Sequence, residues 1–420
     1  MLLQFIVSNF GSIKNEVLFS LVPSQDKSHP ENLLLSGKFK ANAITAIYGA
    51  NASGKSTLFK AMTNAIVYIR ASNLYQVGQP IPVVPYKFCD NPENNPTKFE
   101  FTFIAEDGRK YVYGFSATTK AVLEEYLYCY KSAKMSMVFE RKNDIYEFSR
   151  GDKSILLPLT RMNTSNKLFL STATVWNAEQ TMIPFKWFAE KIDTLTSLVD
   201  FTGIALEEYR AHKEENIAFV LKLMKQADIN ITDVTVETKE VKPQTVGGFS
   251  LDGLVINNQI IKPPTNYRVE IITGHSVTDE SGIKRKFELS LNEESMGSIQ
   301  LFYFAPFLKR TLETGKVLMI DEIDRSLHPF IVKFLINVFR NKEMNQHGAQ
   351  LIFTTHETAI LSLDIFRRDE VYFTEKDNET GITDLYALDD FAVRKDDNIE
   401  KGYLLGRYGA IPFLQTEEIV

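Results

Sequence analysis

The sequence contains 420 residues, of which 44% are hydrophobic and 12% aromatic, with a formal net charge of −6 at pH 7. It is therefore long enough to bury a sizeable core, and its charge gives no overall attraction for nucleic acid. It contains no apolar run of about 18 residues and no secretory leader, so we expect no membrane association. The two cysteines, Cys89 and Cys129, lack metal-ligand spacing, which favours a cytoplasmic location over a disulfide framework or a zinc site.

The N-terminal part of the sequence has the periodicity of β-strands, interrupted by one helix. Apolar segments at 2–9 and 16–21 predict two short paired strands. Residues 43–48 predict a buried strand that leads into a glycine-containing loop and then a helix. Between residues 83 and 160, alternation of apolar and polar positions predicts an antiparallel sheet.

The remainder of the sequence changes periodicity twice. Residues 186–227 have helical spacing, and residues 231–290 return to β-type alternation. From residue 294 onward the pattern is helix, strand, helix and strand, followed by a mixed tail. The whole chain is therefore predicted to have an α/β fold into which a helical and β-rich segment is inserted.

The segment GANASGKS at 49–56 matches the pattern G-x-x-x-x-G-K-[ST] between a predicted strand and a predicted helix. Backbone amides of such a loop bind phosphate oxygens, the Lys55 side chain reaches the terminal phosphates, and the Ser56 hydroxyl binds Mg²⁺. The sequence therefore predicts binding of ATP with Mg²⁺. The predicted nucleotide-binding residues of the loop are Gly49, Asn51, Ser53, Gly54, Lys55, Ser56 and Thr57.

Two carboxylates follow a second apolar strand, VLMI at 317–320. We expect Asp321 to hold Mg²⁺ and Glu322 to activate the attacking water, because in-line phosphoryl transfer needs both a metal and a group that orients the nucleophile. By itself, such an acidic pair is more typical of a solvated turn or a helix start. Its position after a phosphate-binding loop favours the catalytic interpretation.

The segment ESMGS at 294–298 opens an apolar helix. Ser295, Gly297 and Ser298 offer hydroxyls and backbone amides that suit the γ-phosphate of ATP held by another copy. The alternative is an ordinary helix N-cap, which an isolated pattern of this kind would favour.

His356 follows the next apolar strand, in the segment LIFTTHE. A neutral imidazole at that position can contact the γ-phosphate and the attacking water. A single histidine at a strand end is usually structural, but its order after the acidic pair places it near the predicted phosphate site. We therefore predict Glu322 and His356 as the catalytic residues.

The order of these motifs resembles that of the ABC-type ATPases, including the SMC and RecF class. The resemblance implies an ABC-type P-loop NTPase fold with a mixed sheet, an antiparallel β lobe and a helical insertion, and a homodimer that encloses ATP. It assigns the two halves of the ATPase head to 1–185 and 291–420, separated by a helical arm and β insertion at 186–290. Residues 324–328 occupy the place of the D-loop, although His328 stands where that loop usually ends in Asp.

The whole chain is also similar to a narrower group, the stand-alone bacterial AAA-type ATPases of phage-resistance loci such as AbiLi and RloA. This resemblance implies an ATP-hydrolysing regulatory subunit of an anti-phage defence system, with a phage-derived trigger and a separate effector protein encoded nearby. Few residues follow His356, so we expect no nuclease domain in this chain. The resemblance rests on NFGSI at 9–13, GANASGKST at 49–57, PYKF at 85–88, ESMGS at 294–298, DEIDRSLHP at 321–329, FRRDEVYFTEKD at 366–377 and KGYLLGRYGAIP at 401–412.

Two alternative functions belong to other classes. A DNA-repair or DNA-scaffolding ATPase similar to RecF and SMC would use basic clusters such as 284–286 and 367–368, although short basic runs are more often solvated surface. The nucleotide-binding subunit of a transporter would leave the predicted insertions without a role. The sequence analysis predicts a homodimer through the ATP site and allows a higher oligomer.

Overall fold

The computed structural model describes residues 1–130, 134–195, 202–241, 254–256, 259–261, 266–278, 280, 282–325 and 328–411. The chain divides into two compact units. Unit 1 comprises Met1–Ser197, Thr311–Arg325 and Pro329–Val420, and unit 2 comprises Leu198–Arg310 and Ser326–His328.

Strands outnumber helices in the part of the chain that the structure describes. The strands are β1 Leu2–Ser8, β2 Val17–Ser20, β3 Leu33–Ser36, β4 Phe39–Asn42, β5 Ile44–Tyr48, β6 Thr97–Ile104, β7 Lys110–Ala117, β8 Val122–Tyr130, β9 Ser136–Lys142, β10 Ile145–Phe148, β11 Ile192–Leu195, β12 Asp233–Val241, β13 Leu254–Ile256, β14 Gln259–Ile261, β15 Asn266–Thr278, β16 Lys284–Ser290, β17 Val317–Ile320, β18 Gln350–Thr354, β19 Val371–Lys376 and β20 Thr383–Ala387. The α-helices are α1 Lys55–Ala71, α2 Lys153–Leu156, α3 Phe169–Val175, α4 Glu179–Glu190, α5 Thr202–Ala211, α6 Lys213–Gln226, α7 Met296–Thr314, α8 Pro329–Arg340 and α9 Ile399–Leu404.

A six-stranded sheet in unit 1 has the order β11-β17-β18-β5-β19-β20. Its first five strands are parallel, and β20 runs antiparallel to β19. Every residue of β5, β17 and β18 is buried, as expected for the continuous apolar runs of strands covered on both faces. Since these three strands are parallel neighbours, their carboxyl ends meet at one edge of the sheet.

A second sheet in unit 1 has seven antiparallel strands in the order β10-β9-β8-β7-β6-β1-β2. This confirms the predicted pairing of the N-terminal strands and the predicted antiparallel sheet between residues 83 and 160. The Trp187 and Phe188 rings of α4 pack on β6, with the Trp187 ring centroid 4.2 Å from that of Phe103 and the Phe188 centroid 5.1 Å from that of Phe101. Trp187 and Phe188 therefore belong to the core of unit 1.

Unit 2 contains α5, α6, the sheet β12-β15-β16, the hairpin β13-β14 and the first part of α7. The Tyr209 ring of α5 stacks on the Phe302 ring of α7 with centroids 4.4 Å apart, and its hydroxyl donates to the Phe302 carbonyl. Unit 2 begins at Leu198 and includes residues 291–310, whereas the sequence analysis places the insertion at 186–290. Residues 242–253 of the predicted insertion lie outside the described residues.

The motif at 366–377 has a structural role at the start of β19. The Arg367 guanidinium lies 2.8 Å from the Asp369 carboxylate and donates hydrogen bonds to the carbonyls of Ser28 and Asp26. Asn42 also donates to the Asp369 carboxylate. These largely buried bonds fasten the segment before β3 to the strand next to β5.

Burial raises the pKa of Glu370 from 4.5 to about 8, and the hydrogen bonds that its carboxyl accepts from Arg367 N–H and Asn32 oppose the shift only in part. The folded chain therefore holds this proton to a higher pH than the unfolded chain does. We expect the free energy of unfolding to fall as the pH rises from about 4.5 to about 8, by at most about 1.4 kcal/mol per pH unit.

Urea unfolding across this pH range measures the effect. The Glu370→Gln variant, which has no ionisable group at this position, should show a shallower pH dependence than the parent chain. Glu93→Gln at an exposed position is the matched control and should leave the slope unchanged. Equal slopes for Glu370→Gln and the parent would contradict this assignment.

Candidate nucleotide-binding and hydrolysis site

The loop between β5 and α1 requires glycine at two positions. A Cβ atom on Gly49 would lie 2.5 Å from the Ser53 hydroxyl and 2.6 Å from the Thr374 carbonyl oxygen. Gly54 has φ +112°, and a Cβ there would overlap the Thr383 side chain. The helix α1 begins directly afterwards. The Thr57 and Leu58 amides donate to the Gly54 carbonyl, whereas the Lys55 and Ser56 amides precede the hydrogen-bonded turns of the helix. Such amides suit an anionic ligand.

Lys55 lies across this loop. Its Nζ atom donates to the carbonyls of Gly49 at 2.7 Å and Ala50 at 3.0 Å, and it lies 3.5 Å from His356 Nδ1. Burial lowers the pKa of Lys55 to about 8, while Asp321 and other nearby carboxylates oppose the shift. The side chain is thus a cation near neutral pH that is only partly solvated, as binding of terminal phosphates requires.

Hydroxyl groups fix the loop to the neighbouring strands. Ser53 Oγ and Thr374 Oγ1 are 2.6 Å apart, and Thr383 Oγ1 donates to the Ser53 carbonyl at 3.0 Å. Ser12 Oγ lies 3.2 Å from Thr57 Oγ1 and 2.8 Å from Thr383 Oγ1. The hydroxyls of two predicted nucleotide-binding residues, Ser53 and Thr57, therefore have partners within the protein.

Thr354, at the end of β18, connects the two predicted acidic residues. Its hydroxyl donates to Asp321 Oδ1 at 2.5 Å and accepts from the Glu322 N–H at 2.7 Å. Glu322 has φ +53°, a left-handed conformation that a non-glycine residue rarely adopts. Its side chain is 43% exposed and lies 3.9 Å from the Arg325 guanidinium. Thr354 thus holds the strained turn in a conformation that leaves the Glu322 carboxylate accessible to water.

His356 lies beside both the lysine and the acidic segment. Its backbone N–H donates to the two carboxylate oxygens of Asp324 at 3.3 and 3.4 Å. Burial, and after it the Lys55 cation, lower the pKa of His356 below 6.5. The imidazole is therefore neutral at physiological pH, the form that the sequence analysis assumed. Of the predicted D-loop, Ser326 and Leu327 lie outside the described residues.

The structure brings together Lys55, Asp321, Glu322 and His356 in unit 1. Sequence reasoning missed Thr354 and the contact of the D-loop residue Asp324 with His356, because the order of the strands brings these groups together. The sequence did contain a signal for Thr354, since a hydroxyl residue stands near the end of the predicted strand LIFTT. The other predicted residues of the loop include Asn51, which is exposed, and Ser56, which is half-buried.

The segment ESMGS, here called the signature segment, lies in unit 2 at the start of α7 and contains the predicted γ-phosphate contacts Ser295, Gly297 and Ser298. Ser295 Oγ accepts from the Ser298 N–H at 3.1 Å, and the two hydroxyl oxygens are 2.8 Å apart. Ser295 is therefore the N-cap of α7, which is the alternative that the sequence analysis gave for this segment. Gly297 is half-buried, and Met296 between them has a side chain that is 60% exposed. Phosphate binding by this segment stays a prediction.

The donor chemistry at the loop fits Mg²⁺. Ser56 contributes a hydroxyl and Asp321 a carboxylate, both hard oxygen donors. Mg²⁺ usually takes one or two protein oxygens together with water and the phosphates of the substrate. When bound, the ion would neutralise charge on the transferring phosphoryl group.

The strand, glycine loop and helix, beside an acidic strand end and a histidine-bearing strand end, define a P-loop ATPase with an α/β fold of the ABC type. The chain belongs to the family described as "AAA domain, putative AbiEii toxin, Type IV TA system", whose sequence profile matches residues 44–160 and 199–362. No curated protein matches the sequence at a significant level.

Several solved structures are similar to the chain at low sequence identity. The SMC head bound to the C-terminal winged-helix domain of ScpA is 14% identical, with 92% of this chain and 97% of that chain covered and a TM-score of 0.41. RecF bound to ATP is 13% identical, with 92% and 99% covered and a TM-score of 0.39. The cbiO1 protein of Clostridium perfringens is 13% identical, with 96% of this chain and 96% of that chain covered and a TM-score of 0.32. These similarities are too distant to assign a function.

Among the described residues, no helix is long and apolar enough to cross a bilayer.

Removing the Thr354 hydroxyl tests whether it positions the acidic pair. Thr354→Val leaves the Asp321 carboxylate and the Glu322 N–H without this partner, so we expect ATP turnover to fall by about 10- to 100-fold. Thr354→Ser keeps the hydroxyl and should retain most of the activity. Phosphate release measures turnover, and a separate titration measures ATP affinity, which should change less. Full activity of Thr354→Val would refute this role.

Proposed function

We propose that this chain is a Mg²⁺-dependent ATP switch in which two copies close on ATP and hydrolysis reopens them. The observation that carries the proposal is the meeting of four side chains at the carboxyl edge of the parallel sheet. Lys55, Asp321, Glu322 and His356 have the charges and donors that phosphoryl transfer requires. The Lys55–His356 and Thr354–Asp321 contacts hold them in one place.

Each of these residues has a separate role in the proposed cycle. Lys55 binds the terminal phosphates, exchanging its hydrogen bonds to neutral carbonyls for stronger bonds to charged oxygens. The Glu322 carboxylate accepts a hydrogen bond from the attacking water and orients it. The neutral His356 imidazole contacts the γ-phosphate, and Ser56 with Asp321 would hold Mg²⁺.

The second copy supplies the start of α7. A helix N-terminus carries partial positive charge and free amides, which favour an anion such as the γ-phosphate. Ser295 Oγ accepts from the Ser298 N–H and lies 2.8 Å from Ser298 Oγ, and Gly297 permits close approach of the backbone. The resemblance to ABC-type ATPases supports this arrangement, in which neither site is complete without the other copy.

We further propose a regulatory role in anti-phage defence within the cytoplasm. The family description, which names AbiEii toxin and a type IV toxin–antitoxin system, and the similarity to ATPases of phage-resistance loci support this role. The same similarity supports a separate effector protein that produces the output of the switch. A phage-derived molecule would shift the ATP switch.

Light scattering on Glu322→Gln tests the nucleotide-dependent closure. This substitution removes the proposed water-orienting carboxylate while retaining the shape of the side chain, so the ATP-bound form should accumulate. We expect ATP with Mg²⁺ to double the mass of the particle. Adding Ser295→Arg, which places a long cation where the γ-phosphate contact is proposed, should abolish the change.

Two results separate the parts of this mechanism. If Glu322→Gln binds ATP but its mass and shape ignore the nucleotide, the signature assignment is wrong. If Ser295→Arg also loses ATP binding by a single copy, the substitution has damaged more than the contact between copies. Ser362→Arg, which changes a half-buried serine outside the site, is the matched control and should behave as the parent does.

The defence role is tested in cells that carry the chain together with its neighbouring genes. Phage plating should fall relative to an empty vector, and Lys55→Ala should restore plating because ATP binding is lost. Expression of this chain without its neighbours should give no protection. Protection by Lys55→Ala at equal protein abundance would refute the ATP-dependent role.

A further inference from the structure

The outer edge of β16 is an unusual feature of unit 2. This strand is the last of the sheet β12-β15-β16 and pairs with β15 from Ile272↔Ser290 to Thr278↔Lys284. Within the residues that the structure describes, no strand pairs with its other edge, and all seven of its residues are exposed. An exposed strand edge presents unpaired N–H and C=O groups that can pair with a second chain.

The side chains of β16 divide between two faces. Phe287 and Leu289 lie on one face, 51% and 38% exposed, next to Val277 of β15, which is 45% exposed. Lys286 and Glu288 lie on the other face. In the ranges that the structure describes, neither of these two charged residues has an ion-pair partner in its own chain. The edge therefore carries apolar surface and two unused opposite charges, two residues apart.

We propose that two copies of this chain pair through β16, antiparallel, about a two-fold axis at Phe287. In this register each Lys286 faces Glu288 of the other copy, and the two Phe287 rings face each other. Opposite charges and aromatic side chains directly across an antiparallel pair both stabilise it. A two-fold contact uses the same surface on both copies, so the segment must complement itself. The sequence KRKFELS satisfies that requirement.

Charge also selects this register over its neighbours. A shift by one residue would place hydrogen-bonding positions opposite non-bonding positions, and antiparallel ladders do not allow this. A shift to the next allowed register places either Lys286 opposite Lys286 or Glu288 opposite Glu288. Like charges directly opposite destabilise a strand pair. The register centred on Lys286 also places Lys284 opposite Glu288, but it sets Lys286 against Lys286. The register centred on Phe287 has opposite-charge pairs and no like-charge pair, so it is the favourable one among the three.

This contact would lie close in the fold to the signature segment of the same unit. Across β15, Leu289 pairs with Thr273 and Phe287 pairs with His275. The side chains of Thr273 and His275 bind the Glu294 carboxylate at 2.5 and 2.7 Å, immediately before the N-cap of α7. Pairing of β16 therefore orders the strand that holds the start of α7. It adds a second contact between copies that does not need ATP.

Cysteine cross-linking tests the register in the full chain without nucleotide. Directly opposed residues have Cβ atoms about 4.5–5.5 Å apart, close enough for a disulfide after a small adjustment. Phe287→Cys should form a covalent dimer on mild oxidation. Glu288→Cys alone should not, but an equal mixture of Lys286→Cys and Glu288→Cys should. Ile145→Cys, 72% exposed in unit 1, is the control for random collision.

Charge exchange gives a second and independent measurement, by sedimentation without ATP. Lys286→Glu and Glu288→Lys each place like charges opposite one another and should weaken the dimer at least about tenfold. The double variant Lys286→Glu/Glu288→Lys restores opposite charges and should restore the dimer. Circular dichroism should show that all three variants remain folded, because both positions are exposed.

Each outcome decides the proposal. Three results would overturn it. The parent chain is monomeric without ATP, the single charge variants are as dimeric as the parent, or Phe287→Cys cross-links no faster than Ile145→Cys. Self-cross-linking of Glu288→Cys would overturn the register. Ser295→Arg should leave this dimer intact, and Lys286→Glu should leave the ATP-dependent mass increase intact, so the two contacts between copies can fail separately.

Discussion

The candidate site depends on one topological constraint, the position of β18 between β5 and β17 in a parallel sheet. Parallel neighbours end at the same edge, so the residues after these strands must share one small region. β5 delivers the glycine loop and Lys55, β17 delivers the acidic pair, and the middle strand delivers Thr354 and His356. Because β18 touches both neighbours, its polar end can bond to the acidic segment on one side and lie beside the lysine on the other.

Partial burial gives this region its electrostatic character. Desolvation lowers the pKa values of Lys55 and His356, although nearby carboxylates oppose both shifts. The lysine thus stays cationic near neutral pH while the histidine is neutral. Backbone carbonyls satisfy the ammonium group in the absence of phosphate, and those bonds are weaker than bonds to a charged phosphate oxygen. The site is therefore arranged to favour an anion without requiring a large rearrangement of the loop.

Unit 2 combines a helix start with a sheet that ends in an unpaired edge. The Glu294 carboxylate couples the two, because it precedes the N-cap of α7 and binds two side chains of β15. Under the proposed function this helix start reaches ATP on a second copy, and under the further inference β16 joins copies directly. Both ideas give unit 2 a surface that contacts a second copy.

The sequence by itself determined the glycine loop, the acidic pair and the strand-end histidine, because each depends on a short local pattern with a fixed chemical purpose. It also predicted the two N-terminal strands and the antiparallel sheet, since period-two alternation is local. Tertiary structure alone decided that Trp187 and Phe188 pack in unit 1, because helical spacing shows an apolar face but not which core covers it. The same holds for Thr354 and Asp324, whose partners are set by strand order, a long-range property that no local window of residues contains.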